Sequence, residues 1–280
     1  MKKILALILT LALTVCALST FVSCNKNDEY TIRIAASPTP HAEILEIAKD
    51  ILAEQGYTLE IVTFDDYVLP NNVVFSGEFD ANYFQHVPYL NSFNSDNNMN
   101  LVSVAAIHYE PFGIYANGIT LTAALNSTEE VTVFIPSDDS NQTRALLLLA
   151  QEGFLTIPEG KDINTGINIL DLTEANYLSN IKLVAVEAST APAQLRDSEG
   201  TLAVINGNYA IGAGLNVATD ALAIEAADGQ AASTYANIIA VRPDSVDSPK
   251  ILALIEALQS DEVKDFIESA YEGAVVVAKN

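Results

Sequence analysis

The chain contains no tryptophan, and its 280 residues include only two cysteines, two methionines and three histidines. So few thiols and imidazoles leave little material for a thiolate metal cluster or for nucleophile–base pairs. The sequence also has no H-E-x-x-H motif, no G-x-S-x-G elbow and no phosphate-binding glycine loop. Catalysis is therefore poorly supported, and we predict neither a cofactor nor a resident metal.

Basic residues are also scarce. The chain has 13 lysines and arginines against 36 aspartates and glutamates, which gives a net charge of −23. So acidic a surface disfavours nucleic acids and anionic membrane surfaces as partners. Half of the residues are hydrophobic, which suffices for a sizeable core in one large domain or in two smaller ones.

The N-terminus resembles a bacterial lipoprotein signal. Two lysines precede an apolar run at residues 4–17, which is too short for a typical membrane span. A Phe-Val-Ser-Cys sequence resembling a lipobox then ends at Cys24. We predict a signal peptide over residues 1–23, a lipid on Cys24 and a polar tether over residues 24–29. The lipid would hold the protein on the extracytoplasmic side of the cell membrane. Ordinary signal cleavage that leaves Cys24 free is the alternative.

Apolar, β-branched runs alternate with amphipathic segments, and this pattern predicts an α/β protein with parallel sheets. The first set of runs predicts strands at residues 31–36, 59–64, 79–84 and 101–107. A second set predicts strands at residues 131–135, 181–186 and 202–205. Extended runs near 110–116 and 235–241 could link the two sets, and the Asn-rich residues 91–100 predict a surface segment.

Arg144 lies in the first turn of the helix predicted after the strand at 131–135. Ser, Asp and Asn side chains before it provide N-cap chemistry. A helix N-terminus disfavours cations and attracts anions, so an arginine there is unexpected unless both bind one anion. The planar guanidinium could bind a carboxylate bidentately. The alternative is that Arg144 pairs with Asp138 or Asp139.

Further candidates follow from the rule that ligands bind beyond the carboxyl ends of strands in α/β sheets. Amide, imidazole and aromatic side chains follow several predicted strands. With Arg144, the candidate ligand-binding residues are Tyr67, Tyr83, Phe84, His86, His108, Tyr109, Asn141, Asn206 and Asn208. Such a mixture would suit a zwitterion with an apolar tail.

Each candidate also has a purely structural interpretation. The aromatic residues could belong to the core, and His86 could cap a helix. Asn206 and Asn208 could form a turn. A metal site built from His41, His86, His108 and Glu110 is conceivable, although the chain has no His-rich loop.

Seven motifs, in order along the chain, resemble those of the NlpA/MetQ family, the substrate-binding lipoproteins of methionine ABC importers. The similarity runs from about Tyr30 to the C-terminus. The motifs are PTPHAEIL at 38–45, FDDYV at 64–68, DANYFQH at 80–86, HYEP at 108–111, SNQTRAL at 140–146, AVINGNYA at 203–210 and YANII at 235–239.

The resemblance implies a two-lobe periplasmic binding protein-like clamshell of type II, with the ligand in a cleft between the lobes. The implied first lobe comprises residues 30–112 and 237–280, and the second comprises residues 113–236. A membrane permease and its ATPase are the implied partners. A metal-ion receptor and a surface-interaction lipoprotein are the competing hypotheses.

The resemblance also implies roles for individual residues. Arg144 would bind the ligand carboxylate, and Asn206 or Asn208 would hold the amino or the carboxylate end. The implied walls around the ligand side chain are Tyr67, Tyr83, Phe84, His86 and Tyr109.

This sequence departs from the usual family pattern at a few positions. Tyr83 replaces a common Phe, Tyr109 a common Ile or Val, and Phe112 a common Met. Added hydroxyl groups could alter the side chain that the cleft accepts. Because the family includes members that bind methionine-containing dipeptides, the expected ligand is methionine, a methionine derivative or such a dipeptide.

Overall fold

The structure is a computed structural model that describes residues 29–226 and 230–278. The predicted signal peptide, the lipid on Cys24 and residues 24–28 of the tether lie outside the described residues. Within the described ranges, no helix combines the length and the apolar character needed to cross a membrane.

The fold contains two separate mixed sheets. The strands are β1 Thr31–Ala36, β2 Thr58–Thr63, β3 Ala81–His86, β4 Val102–Tyr109, β5 Gly113–Asn117, β6 Val131–Pro136, β7 Ile181–Val186, β8 Thr201–Ile205, β9 Ala223–Ile224, β10 Asn237–Val241 and β11 Val276–Val277. The first sheet has the order β11-β4-β10-β3-β1-β2, and the second has the order β7-β6-β8-β5-β9. We call each sheet with its packed helices the first and the second lobe.

Helices connect most of these strands. They are α1 Glu43–Glu54, α2 Leu69–Phe75, α3 Val87–Asn97, α4 Leu121–Leu125, α5 Asp139–Gln151, α6 Ala191–Arg196, α7 Gly207–Gly212, α8 Val217–Asp220, α9 Gln230–Thr234, α10 Pro249–Leu258 and α11 Asp261–Tyr271. Short helical turns lie at Pro38–Ala42, Ile169–Asp171, Glu174–Asn176, Ala188–Thr190 and Pro243–Ser245.

Each lobe has its own hydrophobic core. In the first lobe, β1 and β3 pack against the apolar faces of α1, α10 and α11. In the second lobe, the leucine run of α5 packs against β6 and β8. Apolar burial is the main favourable contribution to folding, so two cores allow two units to be stable side by side.

The prediction of parallel sheets is wrong in part, because both sheets are mixed. β1 runs parallel to β2 and β3, but β10 runs antiparallel to β3 and β4. In the second lobe, β5 runs antiparallel to β8. β10 and β5 are the strands by which the chain enters a lobe from the other one, so no βαβ crossover sets their direction. The two-residue β11 also runs antiparallel to its neighbour, β4.

The two segments predicted as links are therefore largely strands. Residues 113–117 form β5, and residues 237–241 form the fully buried centre of the first sheet as β10. The links themselves are shorter or lie elsewhere, at residues 110–112 and at residues 225–236. A hydrophobic run does not reveal whether it joins two lobes or completes one.

The Asn-rich residues 91–100 lie largely at the surface, as predicted, but most of them are helical. Residues 91–97 continue α3, which ends where Asn98 adopts a left-handed conformation with φ 53°. Asparagine tolerates that conformation better than most residues and commonly ends helices. Tyr89, Leu90 and Phe93 bury one face of the helix, and this packing outweighs the modest helix propensity of asparagine.

Candidate ligand-binding site

A cavity lies between the lobes, at the edges where several strands end. Its lining residues from the first lobe are Tyr67, Phe84, Gln85, His86, Tyr89, Glu110 and Asn237. Those on the side of the second lobe are Phe112, Asn141, Arg144, Asn206, Gly207 and Asn208. The space between atoms among these residues is about 320 Å³, and part of it is open to solvent.

Strand direction explains why these residues meet. His86 ends β3, Glu110 follows β4, and Asn206 follows β8, so each lies at the carboxyl end of its strand. β10 runs the opposite way, and its first residue, Asn237, is opposite both His86 and His108. Asn237 therefore reaches the same edge, although a rule based on carboxyl ends of parallel strands does not select it.

The N-terminus of α5 is capped by Asp138. The carboxylate of Asp138 accepts a hydrogen bond from the backbone N–H of Asn141 at 2.9 Å and from its side-chain amide at 3.0 Å. Burial raises the pKa of Asp138, and the hydrogen bonds from Asn141 and Ser140 act against that rise. The structure records no ion pair between Arg144 and Asp138 or Asp139 within its described residues.

Arg144 pairs instead with Glu225, which lies just after β9. Nε of Arg144 donates to both carboxylate oxygens of Glu225 at 2.8 Å, and Nη2 donates to the backbone oxygen of Glu110 at 2.6 Å. Burial by itself would lower the pKa of Arg144, but the Glu225 carboxylate more than offsets this and the pKa is raised. Arg144 therefore stays charged although its side chain is only 3% exposed.

The bidentate edge of the guanidinium is occupied by this pairing. Nε and Nη2 are both engaged, whereas Nη1 has no hydrogen-bond partner in residues 29–226 and 230–278. An anion in the cavity could therefore bind Arg144 through the two N–H groups of Nη1.

Asn206 contributes an unusual acceptor. Its Oδ1 atom is buried and has no hydrogen-bond partner within the described part of the chain. The neighbouring Asn208 differs, because its Oδ1 accepts a hydrogen bond from the Tyr67 hydroxyl across the cavity. A buried acceptor without a partner costs free energy, and a ligand donor that bonded Oδ1 of Asn206 would remove this cost.

His86 is a neutral member of the cavity wall. Its Nδ1 accepts a hydrogen bond from the backbone N–H of Tyr89 at 3.2 Å, so the proton belongs on Nε2. Nε2 lies 3.1 Å from Oδ1 of Asn141 in the other lobe. Burial is the largest cause that lowers the pKa of His86 to about 3, and the nearby Arg144 lowers it further.

A series of buried, hydrogen-bonded polar side chains lies behind the cavity and ends at Glu110. The Tyr83 hydroxyl is hydrogen-bonded to Nδ1 of His108, and Nε2 of His108 lies 2.7 Å from Oε1 of Glu110. Burial raises the pKa of Glu110, while His41 and Arg144 act against this rise. These hydrogen bonds hold the Glu110 carboxylate at the cavity in a fixed orientation.

The donor atoms of His41, His108 and Glu110 lie within 4.8 Å of one another, which makes them a possible metal-binding cluster. Each imidazole Nε2 already has a partner, since His41 Nε2 lies 2.9 Å from Asn237 Oδ1. His86, the fourth residue of the metal hypothesis, bonds Asn141 instead. The hydrogen bonds would have to be exchanged for a metal to bind.

The structure brings seven of the ten predicted residues to the cavity. These are Tyr67, Phe84, His86, Asn141, Arg144, Asn206 and Asn208. Tyr83, His108 and Tyr109 are buried behind its wall, where Tyr83 and His108 bond each other and the Tyr109 hydroxyl donates to Glu225.

Sequence reasoning omitted some residues that the structure places at the cavity or beside it. Glu110 belongs to the metal-site hypothesis but not to the predicted ligand-binding residues, and Asn237 appears only within a motif. Glu225 carried no signal, because nothing local to it indicates a partner 81 residues away.

A sequence profile of the NlpA lipoprotein family matches residues 32–279. The chain belongs to the NlpA lipoprotein family. This agrees with the expected family and with the two-lobe α/β fold, whose two sheets are described above.

Individual members of the NlpA family are similar over most of their length. The methionine-binding lipoprotein MetQ of Bacillus subtilis is 40% identical over 88% of this chain and 87% of its own. A lipoprotein structure from Ruminococcus gnavus has a TM-score of 0.83 and 49% identity, covering 89% of this chain and 100% of that one. A nutrient-binding protein from Burkholderia cenocepacia, solved bound to methionine, has a TM-score of 0.81, 32% identity and coverages of 89% and 100%.

Proposed function

We propose that this protein is a non-enzymatic receptor that binds methionine, or a methionine derivative or dipeptide, between its lobes. One observation carries the proposal: Arg144 and an unpartnered acceptor, Asn206 Oδ1, line the same cavity. An amino acid presents a carboxylate and an ammonium group on the same carbon, which suits a donor and an acceptor in one small space. The methionine named for the relatives in B. subtilis and B. cenocepacia supports this ligand.

The two charged ends of the ligand have separate partners in this proposal. The carboxylate binds the free Nη1 edge of Arg144, next to the N-terminus of α5, where the helix dipole favours negative charge. The ammonium group donates to Oδ1 of Asn206 and faces the Glu110 carboxylate. Asn208 is a poorer acceptor for it, because its Oδ1 already binds Tyr67.

The apolar tail lies among the rings of the cavity wall. Those rings belong to Tyr67, Phe84, His86, Tyr89 and Phe112. A thioether gains a little additional stabilisation at an aromatic edge, and the neutral His86 adds no charge to the wall. Tyr83 and Tyr109 are set behind this wall, so their hydroxyl groups act on the ligand only through their neighbours.

We further propose that a lipid on Cys24 holds the protein on the extracytoplasmic face of the membrane. The lipobox-like sequence and the lipoprotein names of the relatives support this anchor. The lobes comprise residues 30–112 with 237–280 and residues 113–236. Their closed form delivers the ligand to a membrane permease driven by an ATPase.

Calorimetry tests the ligand and one contact together. The wild-type protein should bind methionine, and Asn206→Ala should weaken binding by about 1–3 kcal/mol, because the ligand ammonium loses an acceptor. The melting temperature without ligand should stay the same, since Oδ1 has no protein partner. Asn126→Ala, at an exposed asparagine of the second lobe, is the control and should leave affinity unchanged. An unaltered affinity in Asn206→Ala would remove Asn206 from the site.

A thermal-shift screen distinguishes the competing functions. Stabilisation by methionine or a methionine dipeptide supports the receptor. Stabilisation by zinc alone would favour a metal receptor built on His41, His108 and Glu110. No response to either would favour a surface-interaction lipoprotein and would contradict the proposal.

A further inference from the structure

Glu225 forms more contacts with the ligand-binding apparatus than a simple neutralising partner requires. Its carboxylate accepts hydrogen bonds from Nε and Nη2 of Arg144. The same carboxylate accepts hydrogen bonds from the Tyr109 hydroxyl and from the backbone N–H of Phe112 at 3.3 Å. Its own backbone N–H donates to the oxygen of Phe112 at 2.8 Å. Glu225 is therefore fixed both at its backbone and at its carboxylate.

These contacts join Arg144 to the first link between the lobes, residues 110–112. The link supplies the N–H of Phe112 to Glu225 and the carbonyl of Glu110 to Nη2 of Arg144. The two residues of the ion pair are therefore hydrogen-bonded to both ends of the link.

Aromatic rings restrict the guanidinium from its faces. Cζ of Arg144 lies 3.9 Å from the ring centre of Phe112 and 4.6 Å from that of Tyr235. Phe112 belongs to the first link and Tyr235 to the second, which spans residues 225–236. Cation–π contact adds attraction at such distances, and the more so in a desolvated site. The rings and the hydrogen bonds at Nε and Nη2 therefore fix the orientation of the guanidinium, and among the described residues Nη1 alone has no hydrogen-bond partner.

We infer that Glu225 is a positioning residue that aims Nη1 of Arg144 at the carboxylate of the ligand. This inference rests on the proposed function and deepens it, because it assigns selection for a free carboxylate to a residue that need not touch the ligand. We expect Glu225 to stay in place when the ligand binds, because its carboxylate accepts hydrogen bonds from the Tyr109 hydroxyl and the Phe112 N–H in addition to those from Arg144. If Glu225 only occupied the position of the ligand carboxylate and left when the ligand bound, we would expect it to form fewer hydrogen bonds to the rest of the protein.

Glu225→Gln tests the inference by ligand preference. Calorimetry with L-methionine, and displacement titration with L-methioninamide, give the preference for the free carboxylate as a ratio of Kd values. The variant should bind methionine about tenfold more weakly or worse, because the buried guanidinium loses its orienting charge. Methioninamide, which has no carboxylate for Nη1, should lose much less, so that the ratio falls.

Matched variants separate positioning from folding. Glu60→Gln changes the exposed pair of Arg33 and Glu60, at 3.2 Å, and should leave both affinities unchanged. If Glu225→Gln does not fold, Glu225→Asp keeps the charge but shortens its reach, and it should lower the ratio part of the way.

The other outcomes overturn the inference. Unchanged or tighter methionine binding by folded Glu225→Gln would make Glu225 a bystander or a competitor, and an equal loss for both ligands would make it purely structural. In these cases the wild-type protein still binds methionine and the proposed function stands. A wild-type protein that does not bind methionine overturns the proposed function and this inference with it.

Discussion

All three histidines of the chain are buried. Removal from water is the largest cause that lowers the pKa of His41 to about 4 and the pKa of His108 to about 3. Glu110 partly opposes this effect at His41. A neutral imidazole at His86 is also required by its surroundings, because a cation there would face the charged Arg144. Burial therefore keeps positive charge at the cavity on Arg144 rather than on the imidazoles.

We expect no imidazole of the folded protein to titrate between about pH 7.5 and about pH 5.5. Carbon–proton NMR spectra of the histidine rings measure this directly, and the urea-unfolded chain should titrate near pH 6.5 as the control. Each neutral histidine then adds stability that is present above pH 6.5 and is lost as the pH falls toward the folded-state pKa. A folded-state midpoint near 6.5 would contradict the burial described here.

The position of Arg144 could be predicted from the sequence, but its partner could not. The N-cap residues before it and the leucine run after it are local signals, and they correctly predict that Arg144 lies near the start of α5. The predicted first turn is wrong by one turn, because α5 begins at Asp139 and Arg144 is its sixth residue. Both nearby acids were sensible partners by distance along the chain, yet Asp138 caps the helix. Glu225 reaches Arg144 only because β9 pairs with β5, and a two-residue strand has no readable pattern.

At the scale of elements, α7 approaches the first link so closely that its first residue must be glycine. A Cβ atom on Gly207 would lie 2.6 Å from both Cβ and Oε2 of Glu110. Carbon atoms do not approach so closely, so either α7 or the Glu110 side chain would have to move. This contact keeps the N-terminus of α7, and with it Asn208, against the carboxylate that the buried histidines orient.

We expect Gly207→Ala to destabilise the protein by about 1–3 kcal/mol, the usual cost of overpacking, and to weaken methionine binding. Gly212→Ala is a matched control in the same helix, because its Cβ would be no closer than 3.7 Å to Thr39. That variant should be neutral or slightly stabilising. Urea unfolding gives the free energies, and equal values for the two variants would show that the approach of Gly207 is not tight.

Strong periodicity in the sequence predicts whether a segment forms a helix or a strand, but it does not predict the topology of the sheets. Local patterns located β1, β6 and β7 to within one residue. The direction of β10 depends on the chain returning from the other lobe, which no local pattern encodes. Consequently Asn237, the residue that this direction brings to the cavity, was not predicted as part of the site.

At the scale of the whole molecule, hydrogen bonds cross the gap between the lobes. Tyr67 bonds Asn208, Nε2 of His86 lies 3.1 Å from Asn141, and the Tyr209 hydroxyl donates to the backbone oxygen of Asp65 at 2.9 Å. Residues of both lobes line the cavity, so a ligand inside it is largely enclosed. Entry of a ligand requires these few polar contacts to open.

Methionine should therefore shift the protein toward the closed arrangement, because it adds contacts to both lobes at once. A ligand changes such an equilibrium only by its difference in affinity for the two states. Arg144 and Asn206 lie in the second lobe, whereas Tyr67, Phe84 and His86 line the cavity from the first, so only the closed state offers both sets of contacts. Small-angle X-ray scattering should show a smaller radius of gyration with saturating methionine than without it. Asn206→Ala at the same, now subsaturating, methionine concentration should show less contraction. An identical radius in the wild-type protein with and without bound methionine would mean that the lobes do not open to admit it.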